Sequence, residues 1–313
     1  MGLIGLVKLY NDNFPVRKGK LALAAVALRY GKKLPPERIV ETFDGRRLYA
    51  NLAERGMYDS VYFVGEFEPA VTKTISSVVR PGDVCLDIGA NFGWYTTLLH
   101  RLVGAEGTVH SFEPVPGIFA SLKRNLALAG DPANVRLNNV ALGDAPGEVE
   151  LHLFEGLPNG HTSLSTQGRD DFTIIKSPML VLNNYLADQE FGPVNFVKMD
   201  VEGAELMCLR GAGRLFDQEV PPIWMIEMAE ATARGFDYLP DELIKYMRSR
   251  ADYEFYAVDE RSCAVFPVDG FAPNEIGANV LCVPAGKYRD RLEKVSRTPA
   301  IPIARVPGSD LAK

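Results

Sequence analysis

Asp87, Glu113, Asp144, Asp200 and Glu227 each stand at or shortly after the end of a short apolar run. In an α/β domain that is where a carboxylate looks into a ligand crevice. The densest signal surrounds the first of them, in Asp83-Val-Cys-Leu-Asp87-Ile-Gly89-Ala-Asn91-Phe-Gly93, a strand-like run passing directly into a glycine turn and then a helix. Gly89 lets the backbone turn and approach a ligand, and Gly93 lets the following helix pack near the strand. The spacing is G-x-x-x-G, whereas a dinucleotide site prefers G-x-G-x-x-G with a helix N-terminus aimed at a pyrophosphate. An acid ahead of the first glycine repels a pyrophosphate and suits a cationic ligand. Glu113, 26 residues after Asp87, stands where an acidic side chain accepts hydrogen bonds from both hydroxyls of an unmodified ribose. Its structural alternative is a cap on the turn before Pro114. Asp144 could accept from an adenine amino group, although Gly-Asp is common turn chemistry.

Proton transfer has its own candidates. Asp200, Glu202 and Glu205 lie at and just beyond one predicted strand end, and Glu227 ends the next. A positioned carboxylate there can take the proton of an attacking nucleophile. Acids in the first turn of a helix also favour its dipole by about 0.3–1 kcal/mol each, so Glu202 and Glu205 carry a structural alternative. Asp200 and Glu227 could together hold a divalent cation, but hard cations want several oxygen ligands and only two are at hand. A metal site is possible but not favoured. His161 is the one histidine in a polar stretch, Phe154 to Phe172, and an imidazole titrating near neutrality is a ready base. That stretch is long for a compact domain and reads as a lid or binding loop.

These residues need a parallel sheet to bring them together. From Asp83 onward, β-branched apolar runs alternate with helical patterns, the signature of βαβ units. Strands are predicted at Val84–Ile88, Thr108–Glu113, Val135–Val140, Asn195–Asp200 and Ile223–Glu227, with helices at Gly93–Leu102, Pro116–Ala129, Ala204–Phe216 and Pro240–Ala251. Tyr253–Val258, the short Cys263–Val268 and Ala278–Val283 follow with no room for a crossover helix, so antiparallel pairing is expected there. The predicted architecture is α/β, a doubly wound, mostly parallel, seven-stranded sheet whose last strand is antiparallel. An N-terminal helical and hairpin extension precedes it, with Asp44-Gly45 as the hairpin turn. The expected divisions are 1–75 as a basic cap, 76–290 as the main domain and 291–313 as a Pro-containing, poorly ordered tail.

Composition narrows the classes of function. The 313 residues are 47% apolar and 24% charged with a formal charge of −6, ordinary globular material. Residues 1–50 hold ten Lys/Arg against four Asp/Glu, a balance of +6, which leaves −12 for the rest. A nucleic-acid reader normally has a basic main domain, and this one is acidic, so no nucleic-acid partner is expected. The basic start allows peripheral contact with an anionic membrane through residues 1–50. The run Leu21–Leu28 stops after eight residues, too few to span a bilayer, and begins too late for a secretory signal. Four scattered cysteines with no CxxC pair fit reduced thiols in a cytoplasmic protein.

Together these residues resemble the S-adenosylmethionine-dependent methyltransferases of Rossmann-like, class I fold, and more narrowly the FkbM family. The narrower match rests on Val84-Cys-Leu-Asp-Ile-Gly-Ala-Asn-Phe-Gly-Trp-Tyr-Thr96, Ser111-Phe-Glu-Pro-Val-Pro116, Asn138-Asn-Val-Ala-Leu-Gly-Asp144 and Phe196-Val-Lys-Met-Asp-Val-Glu-Gly-Ala-Glu205, in that order. The resemblance implies S-adenosylmethionine as cofactor and methyl transfer to a hydroxyl of a sugar, glycolipid or polyketide-like molecule. It also implies that Asp87, Gly89, Asn91 and Gly93 surround the methionine part, Glu113 holds the ribose, Asp144 the adenine, and Asp200 faces the reacting centre. Asp200, Glu202, His161 and Glu227 are the catalytic candidates. The alternatives are methylation of nitrogen, a catalytically silent cofactor-binding module, and a nicotinamide-dependent dehydrogenase, which the missing G-x-G-x-x-G disfavours.

Overall fold

The computed structural model describes residues 37–51, 57–154, 162–165, 170–188, 192–260, 262–271 and 278–295. In chain order these begin with an antiparallel hairpin, β1 (Arg38–Glu41) and β2 (Arg47–Ala50), turned at Asp44-Gly45 as the sequence predicts. Arg46 ties the hairpin down: its guanidinium lies 4.4 Å from the Trp94 ring centre and donates to Thr97 Oγ1 at 2.8 Å. Two helices follow, α1 (Met57–Val64) and α2 (Pro69–Val78). Their apolar side chains Val61, Tyr62, Val71 and Ile75 share one buried cluster with Leu48 of the hairpin and with Cys85 and Val109 of the main sheet.

The chain then alternates β3 (Val84–Ile88), α3 (Trp94–Val103), β4 (Thr108–Phe112), α4 (Pro116–Ala127) and β5 (Val135–Asn138). Next come β6 (Ala141–Gly143), β7 (Gly147–Phe154), β8 (Thr162–Ser163), β9 (Phe172–Val181), α5 (Leu182–Ala187), β10 (Phe196–Met199), α6 (Glu205–Arg210) and α7 (Gly213–Phe216). The rest comprises β11 (Ile223–Met228), α8 (Glu230–Ala233), α9 (Pro240–Arg250), β12 (Tyr253–Asp259), β13 (Ala264–Val268), β14 (Ala278–Pro284) and α10 (Arg289–Leu292). The main sheet has the order β13-β12-β14-β11-β10-β3-β4-β5. Strands β11, β10, β3, β4 and β5 are mutually parallel, and β14 inserts antiparallel between β11 and β12.

Alternation along the strands explains why helices cover both faces. Val84, Leu86 and Ile88 of β3 join one buried cluster with Val197, Met199, Trp224 and Ile226, while Cys85, Phe196, Ile223 and Met225 join the other. Runs that are apolar at every position are what a sheet buried on both faces requires. The sheet has eight strands, one more than the expected seven, because Ala264–Val268 pairs with β12 as a further antiparallel edge.

One segment differs from expectation. The predicted helix Ala204–Phe216 is broken into α6 and α7 at Gly211, whose carbonyl accepts from the Asn183 N–H at 2.9 Å. Phe154 pairs with Phe172, and β7 is antiparallel to Phe172–Met179 of β9, whereas residues 155–161 and 166–169, most of the stretch expected to be a lid or binding loop, lie outside the described residues. With β6 and β8 they form a second sheet in the order β6-β9-β7-β8. His161, residues 1–36 and the tail beyond residue 295 lie outside the described residues. Among the described residues no helix is long and apolar enough to cross a membrane.

Candidate active site

A cavity of about 620 Å³ opens beyond the carboxyl ends of β3, β4, β10 and β11. That volume and position are typical of a small-molecule site in an open α/β sheet. Register decides which side chains meet there. Met199 is level with Ile88 on one side and Ile226 on the other, so Asp200 is level with both Gly89 and Glu227. On the face where Cys85, Phe196, Ile223 and Met225 are apolar, the next positions along the strands are Asp87, Lys198, Asp200 and Glu227. The sheet thus turns from apolar to charged toward its carboxyl edge, on the side covered by α2 and α3.

Both glycines of the turn take a positive φ and stand where a side chain would clash with protein. Gly89 has φ +80°, and a Cβ there would lie 1.8 Å from the Asp200 carbonyl oxygen. Gly93 has φ +94°, and a Cβ there would meet Leu122 Cδ1 at 2.6 Å, so this glycine admits α4 against the start of α3. Asn91 lines the cavity at φ 50°, with its side-chain oxygen accepting from the Phe92 N–H at 2.8 Å. Glu113 also lines it, and its two carboxylate oxygens accept from the backbone N–H groups of Asn91 and Val115, each at 2.9 Å. Burial pushes the Glu113 carboxyl up to about 7 despite those bonds.

Asp87 stands behind the cavity wall, 1% exposed, where its carboxylate accepts from the Thr96 hydroxyl at 2.5 Å. Burial raises it to about 6. Its position makes it a brace between β3 and α3, and it is absent from the cavity lining. Asp144 is exposed and also outside that lining. The adenine contact expected of Asp144 therefore has no support in the geometry. Its neighbour Leu142 lines the cavity instead, with Val115, Ile118, Leu151 and Leu164.

Lys198 carries the positive charge of the site, a role the sequence reading did not assign. It is 1% exposed, and its ammonium lies 3.2 Å from both Asp200 Oδ2 and Asn279 Oδ1 and 5.3 Å from the Tyr95 ring centre. Burial alone would lower its pKa, but Asp200, Glu68 and Glu227 overcome that and raise it. Facing it across the cavity is Glu68, which receives the Tyr95 hydroxyl bond and holds a left-handed backbone, φ 41°, at the start of α2. Glu260 accepts from the N–H groups of Ala70 and Val71 at 3.1 and 3.0 Å, fixing the first turn of α2. Phe67, half-buried, completes this side of the cavity, whereas Tyr58, Tyr62 and Phe63 are consumed in the core.

Glu202 and Glu205 separate in role. Glu205 is buried and accepts from the Val201 and Gly203 N–H groups at 3.0 and 3.3 Å and from the Tyr238 hydroxyl at 3.0 Å, so it shapes the loop after β10. Glu202 lines the cavity at φ 53°, and burial, reinforced by Asp200, raises its carboxyl to about 8. Glu227 is raised well above the usual carboxylate range, first by Asp200 and then by burial. Its Oε2 is buried and has no hydrogen-bond partner among the described residues. Six carboxylates line the cavity, Glu68, Glu113, Asp200, Glu202, Glu227 and Glu260, with no lysine, arginine or histidine among the described residues in that lining. Such a lining favours a cationic ligand. No group of three or more His, Cys, Asp or Glu side chains is disposed to hold a metal ion among the described residues.

Comparison with known proteins converges on this region. The chain is 32% identical to the 31-O-demethyl-FK506 methyltransferase FkbM of Streptomyces tacrolimicus, over 42% of its own length and 60% of that protein's. It is 28% identical to the hexuronic acid methyltransferase AglP of Haloferax volcanii, over 46% and 56% of the respective chains. The chain thus spans 56–60% of the length of these curated relatives. Among solved structures, the methyltransferase FkbM of Methylobacillus flagellatus aligns over 72% of this chain and 52% of its own, at 17% identity and a TM-score of 0.42. The model of the methyltransferase FkbM domain matches residues 87–255, more than half of the chain, and the protein belongs to the FkbM methyltransferase family.

Proposed function

We propose that the protein is an S-adenosylmethionine-dependent O-methyltransferase that acts on a hydroxyl of a small molecule, a sugar or glycolipid ahead of a polyketide-like metabolite. The observation that carries this reading is the acid-lined cavity at the strand ends, with Glu227, one of whose oxygens is buried without a hydrogen-bond partner among the described residues, in its lining. The names of the two relatives, which act on 31-O-demethyl-FK506 and a hexuronic acid, support a small-molecule acceptor.

The residues present fit the cofactor. Gly89, Ala90 and Asn91 offer a tight turn in the cavity lining, Glu113 offers carboxylate oxygens to ribose hydroxyls, and Val115, Ile118 and Leu142 offer apolar contact to a base. Gly93 and Asp87 hold that turn from behind. When bound, the cofactor supplies a methyl group already activated on a sulfonium, so displacement needs chiefly an aligned nucleophile about 3 Å away. The protein's share is to position the acceptor hydroxyl and to take its proton. Asp200, oriented by Lys198, and the neighbouring Glu202 and Glu227 are the groups at hand. Phe67, Glu68 and Tyr95 also line the cavity, an aromatic and acidic surface that suits a polyol such as a sugar ring. A divalent metal is not part of this reading.

The test is transfer of a labelled methyl group from S-adenosylmethionine to purified glycans, glycolipids and polyketide-like metabolites, with and without a chelator. The reading expects label on an acceptor hydroxyl in both conditions. Label only on nitrogen, or loss of transfer on chelation, would overturn the O-directed, metal-free form of it.

A further inference from the structure

Glu227 differs from every other acid in the cavity in having one oxygen that is buried and without a partner among the described residues. Groups from every side face it. Asp200 and Lys198 stand on β10, Glu202 in the loop that follows, Glu205 at the start of α6, and Asn279 opposite it on β14. Glu68 and Tyr95 approach from α2 and α3, and Glu260 from the end of β12. Lys198 is the one cation in this group, and its ammonium is shared between Asp200 and Asn279. Several carboxylates around a single committed cation cannot all ionise, so at least one holds a proton until further positive charge arrives. An unpartnered buried oxygen costs less on a neutral carboxyl than on a carboxylate, which points to Glu227 as the holder of that proton.

Building on the cofactor reading above, we propose that Glu227 is the proton acceptor of the reaction and that it is switched on by the sulfonium. Arrival of a cation beside the cluster expels the Glu227 proton to solvent and leaves a carboxylate. During transfer the acceptor oxygen gains the methyl carbon and gives its proton to Glu227, while the electron pair of the broken carbon–sulfur bond stays on sulfur. The positive charge leaves the site as the proton arrives, so the product state restores the protonated carboxyl. S-adenosylmethionine binding is thereby linked to proton release, and S-adenosylhomocysteine binding is not.

Calorimetric titration of the full chain with each ligand near pH 7, in buffers of different ionisation enthalpy, counts the protons. Both ligands carry the same amino and carboxyl groups, so their difference isolates the sulfonium. The expected result is up to about one more proton released by S-adenosylmethionine than by S-adenosylhomocysteine, a difference abolished in Glu227→Gln. Should that variant fold poorly, the parent chain alone decides. Its ratio of the two dissociation constants shifts toward S-adenosylmethionine by up to about tenfold per pH unit between pH 6 and 8. Equal proton release by both ligands, a pH-independent ratio, or a difference that survives Glu227→Gln would overturn the proposal. Saturable binding with equal proton release would leave the cofactor reading standing, whereas no binding of either ligand would remove both.

Discussion

Gly89 lies so close to the carbonyl of Asp200 that the two strand ends admit no side chain between them: a Cβ on Gly89 would sit 1.8 Å from the Asp200 oxygen. Parallel pairing of β3 with β10 creates that contact, and the cavity opens directly beyond it. Gly89→Ala combines a steric clash with backbone and a φ of +80°, and should destabilise the protein by more than about 2 kcal/mol. Gly82→Ala is the control, because Gly82 has φ +85° but nothing within 4 Å of its Cβ position, and it should cost only about 1 kcal/mol. Urea denaturation of both variants separates clash from conformation.

Glu205 should be a stability residue. Its carboxylate satisfies two backbone N–H groups and the Tyr238 hydroxyl while fully buried. Glu205→Ala leaves the Val201 and Gly203 N–H groups unpaired, while the Tyr238 hydroxyl keeps the Gly203 carbonyl at 2.9 Å, and should cost on the order of 3 kcal/mol, read as a lower urea midpoint. A variant that lost methyl transfer with an unchanged midpoint would instead move Glu205 into the chemistry.

Glu113 gives the fold a pH dependence of definite sign. Burial holds its carboxyl at about 7 in the folded state, above the ordinary 4.5, so the native state binds the proton more tightly than the unfolded chain. The stability contributed is complete below pH 4.5 and is lost as pH rises through 7, on the order of 3 kcal/mol across that window. Glu113→Gln removes this pH dependence, so parent stability minus variant stability should fall from pH 4.5 to pH 8, whatever its value at pH 4.5. Urea midpoints measured across that range test it, and a signed difference that rose with pH would contradict the sign.

Lys198 is buried against Asp200 and compensates the surrounding acids. Lys198→Met removes one partner of a buried ion pair and should cost about 3–5 kcal/mol near pH 8. The penalty should diminish toward pH 5 as the carboxylates left behind take up protons. Thermal melts at the two pH values provide the comparison, and an equal loss at both would argue that the side chain acts through packing alone.

Much of this arrangement was legible in the residues themselves. The apolar runs around Asp87 and Asp200 specify strands buried on both faces, and the glycines at 89 and 93 mark the turn between β3 and α3. What the chain order hides is lateral contact. Lys198 reads as an interruption of a strand until β14 brings Asn279 beside it from 81 residues away. Glu68 and Tyr95 likewise meet only because α2 folds over the sheet edge. Asp87 and Asp144 are acids near strand ends, but one points behind the turn and the other into solvent, distinctions of rotation that spacing does not carry. The second sheet did have a signal: Val149, Leu151 and Leu153 alternate with Glu148, Glu150 and His152 along β7. The polar composition of the sequence beyond Phe154 obscured it.

Phe67 separates the two halves of the cavity experimentally. It lines the cavity from just ahead of α2 and packs edge-on against Phe92 and Trp94, at 6.4 and 6.0 Å between ring centres, so Phe67→Ala should raise the KM for the acceptor by more than it weakens affinity for S-adenosylhomocysteine. Equal loss in both measurements would mean that this wall also holds the cofactor.

The central claim is that the acid-lined cavity beyond β3, β4, β10 and β11 binds S-adenosylmethionine. Calorimetric titration with S-adenosylhomocysteine tests it most directly, in the parent chain and in Glu113→Ala. The account predicts saturable one-to-one binding to the parent, weakened about tenfold or more in the variant, a loss of at least 1.4 kcal/mol. Absence of saturable binding to the parent, or equal binding to a folded Glu113→Ala variant, would contradict it.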